Sequence, residues 1–357
     1  MEETRKVVEA LMRVGPRFSD ISKATGVPVS TVRYILLKRL PKLGLTVRAS
    51  INYGALGLQR YLVEFKSKYP AHYISKILDL LGEYMYLDYY TYSMTGKKFF
   101  TIFAIPPKYE SSFSEFLDAM ESLGLIDNPD SRKLTYMRLV PFMPEYFDFS
   151  RGVWTQNWMT NPKPREIPEV PEYPDPHPKI DKIDLMMLAQ FQRGIIQLKY
   201  SDLAKKLNLT RQTISKHYKH VRRLINLFAV IWVPFMNPEL VVTPLIIKTD
   251  ASAHARKTLL SIPFTYTEFR SERGEYYAML IIPAMGFYTA LKFLSERIDV
   301  EELSFQDMEY SGKFALQHSL YKEGEWMDVF EVSLKKLIQI CLLYTSDAAD
   351  DGESVDL

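Results

Sequence analysis

The hydrophobic pattern of this chain switches from a helical period to a strand period, and it does so twice. Val7, Val8, Leu11 and Met12 fall on one helical stripe. The stretch "FSDISKATGV" predicts a second helix with Ser19 or Asp20 placed to cap it. The turn "GVPVS" leads into a third, "STVRYILLKRL". A β-rich stretch, "LTVRASIN", follows as a wing. Then "YLVEFKS" reads as strand, "YISKILDLLGEY" as helix, and "YLDYYTYS" and "KKFFTIFAIP" as strands joined at Thr95-Gly96. "YESSFSEFLDAMESLG" follows as helix and "KLTYMRLVPF" as strand, which completes the β-α-β-β-α-β order of a ferredoxin-like domain.

The second half repeats each step. Ile180, Ile183, Met187, Leu188 and Phe191 form the stripe, "YSDLAKKLNL" the second helix and "TRQTISKHYKHVRRL" the third. Asp20 matches Asp202 and Val32 matches Ile214, both 182 residues apart. "LFAVIWVPFMN" reads as the second wing. It leads into "PLIIKTD", "HARKTLLSI", "YTEFRSE", "EYYAMLIIP", "FYTALKFLSERI" and "ELSFQDMEYS". Gly152 and Trp154 in RGVW match Gly324 and Trp326 in EGEW. Between the copies, seven of the 21 prolines lie from Pro162 to Pro178. Proline fixes φ and removes the amide donor, so this segment reads as a stiff, extended linker.

The expected class is therefore α+β, with two tandem copies of a winged helix-turn-helix followed by a ferredoxin-like βαββαβ domain. The boundaries fall at 1–52 and 53–158 for the first copy, 159–178 for the linker, and 179–237 and 238–326 for the second copy. A C-terminal helix takes 327–340. Residues 341–357, with "CLLYTSDAAD", look like translated sequencing adapter and are set aside from the functional reading.

Composition adds little until charge is divided along the chain. The net charge is +2, but residues 1–40 carry +4, residues 179–226 carry +8 and the remainder sums to −10. Two short basic segments on an acidic body predict two local polyanion-binding surfaces. One cysteine excludes a disulfide framework and a cysteine-built zinc site. The start is charged from its second residue, unlike a secretory signal. The longest uncharged run ends at Leu291, contains Pro283 and Gly286, and is too short to span a bilayer. A cytoplasmic protein with no membrane association is expected. No P-loop, dinucleotide-binding, serine-nucleophile or HExxH pattern is present.

The repeated order resembles the Lrp/AsnC family of bacterial and archaeal transcription regulators. The second copy offers "KIDKIDLMMLAQF", "SDLAKKLNLTRQTISKHYKHVRRL" and "NPEL"; the first offers "SDISKATGVPVSTVRYILLKRL", "NYGALGL" and "TGKKFFTIFAI". The resemblance implies a non-enzymatic, archaeal, DNA-binding regulator with double-stranded DNA as partner and no cofactor. Pairing of the two ferredoxin-like domains would make one chain a covalent pseudo-dimer on an asymmetric site, and further chains could join through the same domains. The chain departs from the family in carrying two copies. Phe100 and Tyr277 replace the acid that follows the β-turn aromatic, which leaves a small-molecule effector beside the Gly96 and Gly274 turns open. RGIIQLKY, 193–200, is an insertion between the first two helices of the second copy.

In a helix-turn-helix the start of the third helix enters the major groove. With Val32, Leu36, Leu40, Ile214, Tyr218 and Val221 inward, Ser30, Thr31, Arg33 and Tyr34 face out in the first copy. Arg211, Gln212, Thr213, Ser215 and Lys216 do so in the second. Arg211 suits guanine and Gln212 adenine. Lys38, Arg39, Lys219, Arg222 and Arg223 lie further along, toward phosphates. Thr210 is placed to cap the second copy's third helix, where the first has Pro28. His217 and His220 sit one turn apart without a third ligand in view; His220 is read as facing phosphate, and no metal site or catalytic residue is assigned. Tyr86, Tyr89, Tyr90 and Tyr92 are read as core or interface. Two alternatives stand beside the regulator: a protein-interaction subunit built on winged helices, and an enzyme like the siroheme decarboxylases, which resemble the family in fold but act on a tetrapyrrole.

Overall fold

A computed structural model describes residues 2–194, 200–233 and 241–338. In the first copy, α1 (Glu2–Val14) buries Thr4, Val7, Val8, Ala10 and Leu11, the expected stripe. The N-cap of α2 (Phe18–Thr25) is Arg17, whose side chain makes no cap; Ser19 and Asp20 already lie in the first turn. α3 (Val29–Tyr34) starts uncapped after Pro28, passes through one π turn over Ile35–Arg39 and ends as α4 (Leu40–Lys42). Pro41 has no amide hydrogen to donate to the preceding turn, and the wider π turn absorbs that gap. Val32, Leu36 and Leu40 are buried as the helical spacing predicts.

After β1 (Leu45–Ile51) come β2 (Gln59–Lys66), α5 (Ala71–Tyr84), β3 (Leu87–Ser93), β4 (Lys98–Ile105), α6 (Glu110–Ser122) and β5 (Asp127–Leu139). A two-residue-strand hairpin, β6 (Phe147–Asp148) and β7 (Val153–Trp154), holds the RGVW motif. The proline segment is extended, and it is pinned rather than free. The Arg165 amide donates to Leu260 O, that of Glu172 to Thr135 O and that of Asp175 to Gly54 O. The Arg165 guanidinium donates to the carbonyls of Pro141, Leu260, Ile262 and Thr265. A strap results where a spacer was expected.

In the second copy, α7 (Lys182–Gln192) opens with a capping box formed by Asp181 and Asp184. α8 (Tyr200–Leu207) takes Tyr200 as its first residue, so the insertion ends one residue earlier than its sequence suggests; residues 195–199 lie outside the described residues. α9 (Arg211–Val221) is capped as expected, Thr213 N donating to Thr210 Oγ1 at 3.1 Å. β8 (Ile225–Trp232) follows; NPEL, 237–240, falls outside the described residues. Then come β9 (Val242–Asp250), α10 (Ala253–Leu260), β10 (Thr265–Ser271), β11 (Glu275–Pro283), α11 (Phe287–Ser295) and β12 (Glu302–Lys313). The EGEW hairpin is β13 (Tyr321–Lys322) and β14 (Glu325–Trp326). A last helix covers 330–338, starting three residues later than expected; 339–357 lie outside the described residues.

The eight long strands close into one antiparallel barrel of order β10-β11-β9-β12-β3-β4-β2-β5. Each half contributes a four-stranded sheet, and the two join edge to edge at β12–β3 and β5–β10. Closure removes the unpaired edges that would invite another chain, so the two four-stranded sheets complete each other within one chain. The wings differ from the sequence reading: β1 and β8 pair with each other, Arg48 opposite Ala229, and bridge the two copies.

Side chains alternate across each strand, and β11 shows what fills the barrel. Glu275 belongs to an ionic plug, in which Arg132 binds Glu64 at 2.6 Å and Lys248 binds Glu275 at 2.8 Å. Tyr277 and Met279 join Leu62, Phe100, Ile102, Leu134, Met137, Ile246 and Phe269 in an apolar middle. Burying one such side chain contributes about 1.5–3 kcal/mol. Ile281 reaches a cavity at the far end.

Candidate functional site

That cavity, of about 250 Å3, lies where the barrel mouth meets the β1–β8 ribbon. With its mouth included, the empty space reaches about 1100 Å3, against roughly 300–1000 Å3 for small-molecule sites. Met137, Leu139, Met279 and Ile281 supply an apolar floor, while Arg48, Arg138 and Lys313 supply three cations. Among the described lining residues there is no acid and no histidine.

Arg48 stands at the centre of β1, on the face it shares with Thr46 and Ser50, opposite Leu45, Val47, Ala49 and Ile51. Its Nε is buried without a hydrogen-bond partner, and among the described residues it makes no ion pair. Burial pulls its guanidinium below the usual arginine range, and the neighbouring Tyr266 hydroxyl works the other way. Arg138 donates from Nε to Glu268 Oε1 at 2.8 Å, while one terminal nitrogen stays buried and unpartnered. Lys313 donates to Asp88 Oδ2 at 2.7 Å, and Tyr53 donates to the other oxygen of that carboxylate at 2.8 Å. Gln192, on the last turn of α7, donates to the Tyr53 hydroxyl at 2.8 Å. Burial lowers the Lys313 ammonium, Asp88 raises it, and Arg60 and Arg48 lower it further. The cavity is therefore a partly enclosed, net-positive space.

Two phenols complete it. Tyr89 and Tyr266 both line it, Tyr266 donating to Met279 Sδ at 3.9 Å, and burial raises both phenols above their ordinary range. Tyr266 is pushed up to about 12 by burial, with Arg48 and the Tyr89 hydroxyl pulling it back. Such a site can hold an apolar body by its anionic substituents and offer a proton from an enclosed acid.

The residues picked out from the sequence lie elsewhere. Ser30, Arg33, Tyr34, Lys38, Arg211, Gln212, Ser215, Lys216, Lys219 and Arg223 are exposed on α3, the π turn, α9 and the turn after it, while Thr31, Arg39 and Thr213 are half-buried. Arg222 is engaged: it packs over the Phe228 ring and donates to Ile225 O at 3.1 Å. His220 does not face outward to phosphate; its Nδ1 lies 2.9 Å from Asp184 Oδ2, and that of His217 lies 2.8 Å from Asp184 Oδ1. Tyr90 is buried core, but Tyr89 lines the cavity. The Gly96 and Gly274 turns sit at the plugged end of the barrel, opposite the cavity. Sequence reading missed Arg48, Tyr89, Arg138, Tyr266 and Lys313; the available signal was the one charged residue on the polar face of "LTVRASIN".

No family model and no curated protein matches this sequence. Solved structures do match. The fold is that of siroheme decarboxylase NirDL. Its crystal structure in complex with an iron-uroporphyrin III analogue superposes with a TM-score of 0.54 at 10% identity, over 95% of this chain and 99% of that one. A second NirDL structure gives 0.51 at 10% identity, over 94% and 99%. The regulator drawn from the Lrp/AsnC resemblance is corrected by this finding, together with its double-stranded DNA partner and its non-enzymatic character: the whole-chain architecture is one found in an enzyme. The physical reason is visible in β1 and β8. Strands read as separate wings of two DNA-reading units instead pair and roof a cavity. Among the described residues no helix is long and apolar enough to cross a membrane.

Proposed function

We propose that the chain is an enzyme that removes carboxyl groups from an iron tetrapyrrole of the siroheme type. One observation carries the reading: a cavity whose described lining has three cations and no acid lies at the barrel mouth of a chain that shares its architecture with a siroheme decarboxylase. A tetrapyrrole with acetate and propionate side chains is an apolar disc ringed by carboxylates, and the cavity offers the complement. Arg48, with no ion pair among the described residues and an unpartnered Nε, fits a substrate carboxylate, as do Arg138 and Lys313. Decarboxylation of an acetate arm breaks its bond to the carboxylate carbon, releases CO2 and leaves a methyl group after one proton arrives at the methylene carbon. With no histidine among the described lining residues, the Tyr266 phenol is assigned to deliver that proton. The finer duplication belongs to the same reading: each three-helix unit with its strand is a winged helix-turn-helix in origin, divided from its ferredoxin-like domain near residues 52 and 237.

The test is to add siroheme, and separately iron-uroporphyrin, to the purified protein, following the Soret band and then the product mass. A band shift and a product lighter by whole CO2 units support the reading. Equal affinity for a tetrapyrrole whose carboxylates are all esterified, or no spectral change, overturns it.

A further inference from the structure

The second three-helix unit carries a polar cluster that the first lacks. The buried stripe of α1, Thr4, Val7, Val8, Ala10 and Leu11, maps with one constant offset of 180 residues onto Asp184, Met187, Leu188, Gln190 and Phe191 of α7. Where α1 buries a neutral threonine, α7 buries a carboxylate, and where the π turn buries Ile35, α9 places His217. Asp184 is 2% exposed, yet among the described residues no Lys or Arg pairs with it. Its two oxygens meet two imidazoles instead, His217 Nδ1 at 2.8 Å and His220 Nδ1 at 2.9 Å. A second carboxylate, Asp181, brings Oδ2 to 3.7 Å from His217 Nδ1.

The geometry points to a divalent metal site formed by His217, Asp184 and Asp181. Their ligand atoms all lie within 4.8 Å of one another. A tetrahedral ion with bonds of about 2.0–2.2 Å spaces its ligands roughly 3.3–3.5 Å apart, close to the separations already present. One nitrogen and two carboxylate oxygens suit a zinc-class ion, with solvent in the fourth position. His220 would not ligate; it holds the far oxygen of Asp184 and so orients that ligand. The half-exposed Asp181 gives the ion a route in. The ion would clamp α9 to the start of α7, whose last turn carries Gln192 to the cavity.

The experiment uses tag-free full-length protein stripped with chelator, so that its outcome is independent of any tetrapyrrole. Zinc binding is followed by calorimetry and thermal melting, and Co2+ by its visible d–d bands. The expected result is one ion per chain, a raised Tm, and at least tenfold weaker binding in His217→Gln. His220→Gln should weaken binding by roughly 10–100-fold and His254→Gln should leave it unchanged. Because Asp184 also serves the capping box, His217→Gln with an unaltered circular dichroism spectrum is the deciding variant. No zinc binding by the wild type, or binding that His217→Gln leaves intact, overturns the site.

Discussion

Arg48 is expected to weaken the free protein and to strengthen its complex, and Arg48→Met separates the two effects. The guanidinium is half-buried at the cavity wall with no acid beside it among the described residues, and burial pulls it below its ordinary range. An apolar replacement of similar length keeps the packing of the stem and removes the desolvated charge. Replacing buried ions by apolar groups yields gains of roughly 1–4 kcal/mol. Arg48 keeps some exposure to the cavity, so the low end applies, about 1 kcal/mol or a rise in Tm of about 1–2 °C. The ligand experiences the opposite. A hydrogen bond between charged groups is worth about 1.5–3 kcal/mol, which is about 10–150-fold in affinity for a carboxylated tetrapyrrole. Calorimetric melting of the free proteins and absorbance titration with siroheme give the two numbers on the same samples. A variant that melts lower than wild type, or that binds siroheme as tightly, refutes the assignment of Arg48 as an unpaired cation awaiting a carboxylate.

Lys313→Met should act in the other direction on stability, because it strands the buried Asp88 carboxylate with the Tyr53 hydroxyl; a loss of about 1–3 kcal/mol is expected, and Asp88→Asn in the same chain should restore part of it in a denaturant titration. Tyr266→Phe should lower turnover roughly 10²–10⁴-fold with KM little changed, and an unaltered kcat would assign the proton to another group. The Tyr266 phenol, raised from 10 to about 12, favours folding fully below pH 10 and loses that contribution as pH climbs toward 12. Unfolding free energy should therefore fall across that interval in wild type and fall less in Tyr266→Phe; identical slopes would contradict the burial. Arg165→Met leaves the carbonyls of Pro141, Leu260, Ile262 and Thr265 without their donor and should cost about 3 kcal/mol in chemical denaturation; a neutral effect would mean that the strap is not held there.

Local periodicity carried most of the fold. The strands and helices of both βαββαβ units lie within a few residues of the segments read from their hydrophobic alternation, β5 apart, which begins six residues early at Asp127. Thr210 capped α9 for the reason its hydroxyl predicts. Pairing between copies was not legible, because "LTVRASIN" and "LFAVIWVPFMN" have the same pattern whether each folds back on its own unit or meets the other. The cavity was invisible for a related reason. Its polar residues, Arg48, Tyr89, Arg138, Tyr266 and Lys313, come from five strands, and nothing in the spacing of any one of them names the others. The basic segment of α9 drew attention because its charges are adjacent in sequence, whereas the cations of the cavity are adjacent only in space. His217 and His220 had their third partner in "KIDLM" all along; the helix packing that brings Asp184 to them is tertiary.

The duplication itself explains why the cavity can be lopsided. Asp88 and Tyr266 occupy matching positions, each the residue skipped in the register of the second strand of its unit, between Leu87 and Tyr89 and between Thr265 and Thr267. Lys313 pairs opposite Tyr89 where Leu139 pairs opposite Thr267. One flank is thus an ion pair and the other a phenol beside an aliphatic side chain. Two identical chains meeting about a two-fold axis would carry the same residues on both flanks. With both copies in one chain, each flank can change alone. A substrate whose carboxylates are unevenly distributed then has one preferred orientation, set by Lys313 on one side and by Tyr266 and Arg138 on the other. Exchanging the flanks, with Leu139→Lys and Lys313→Leu together, should therefore change which carboxylate is lost rather than abolish binding, and product mapping by NMR would read that out; unchanged positional selectivity would mean that orientation is set outside these two strands.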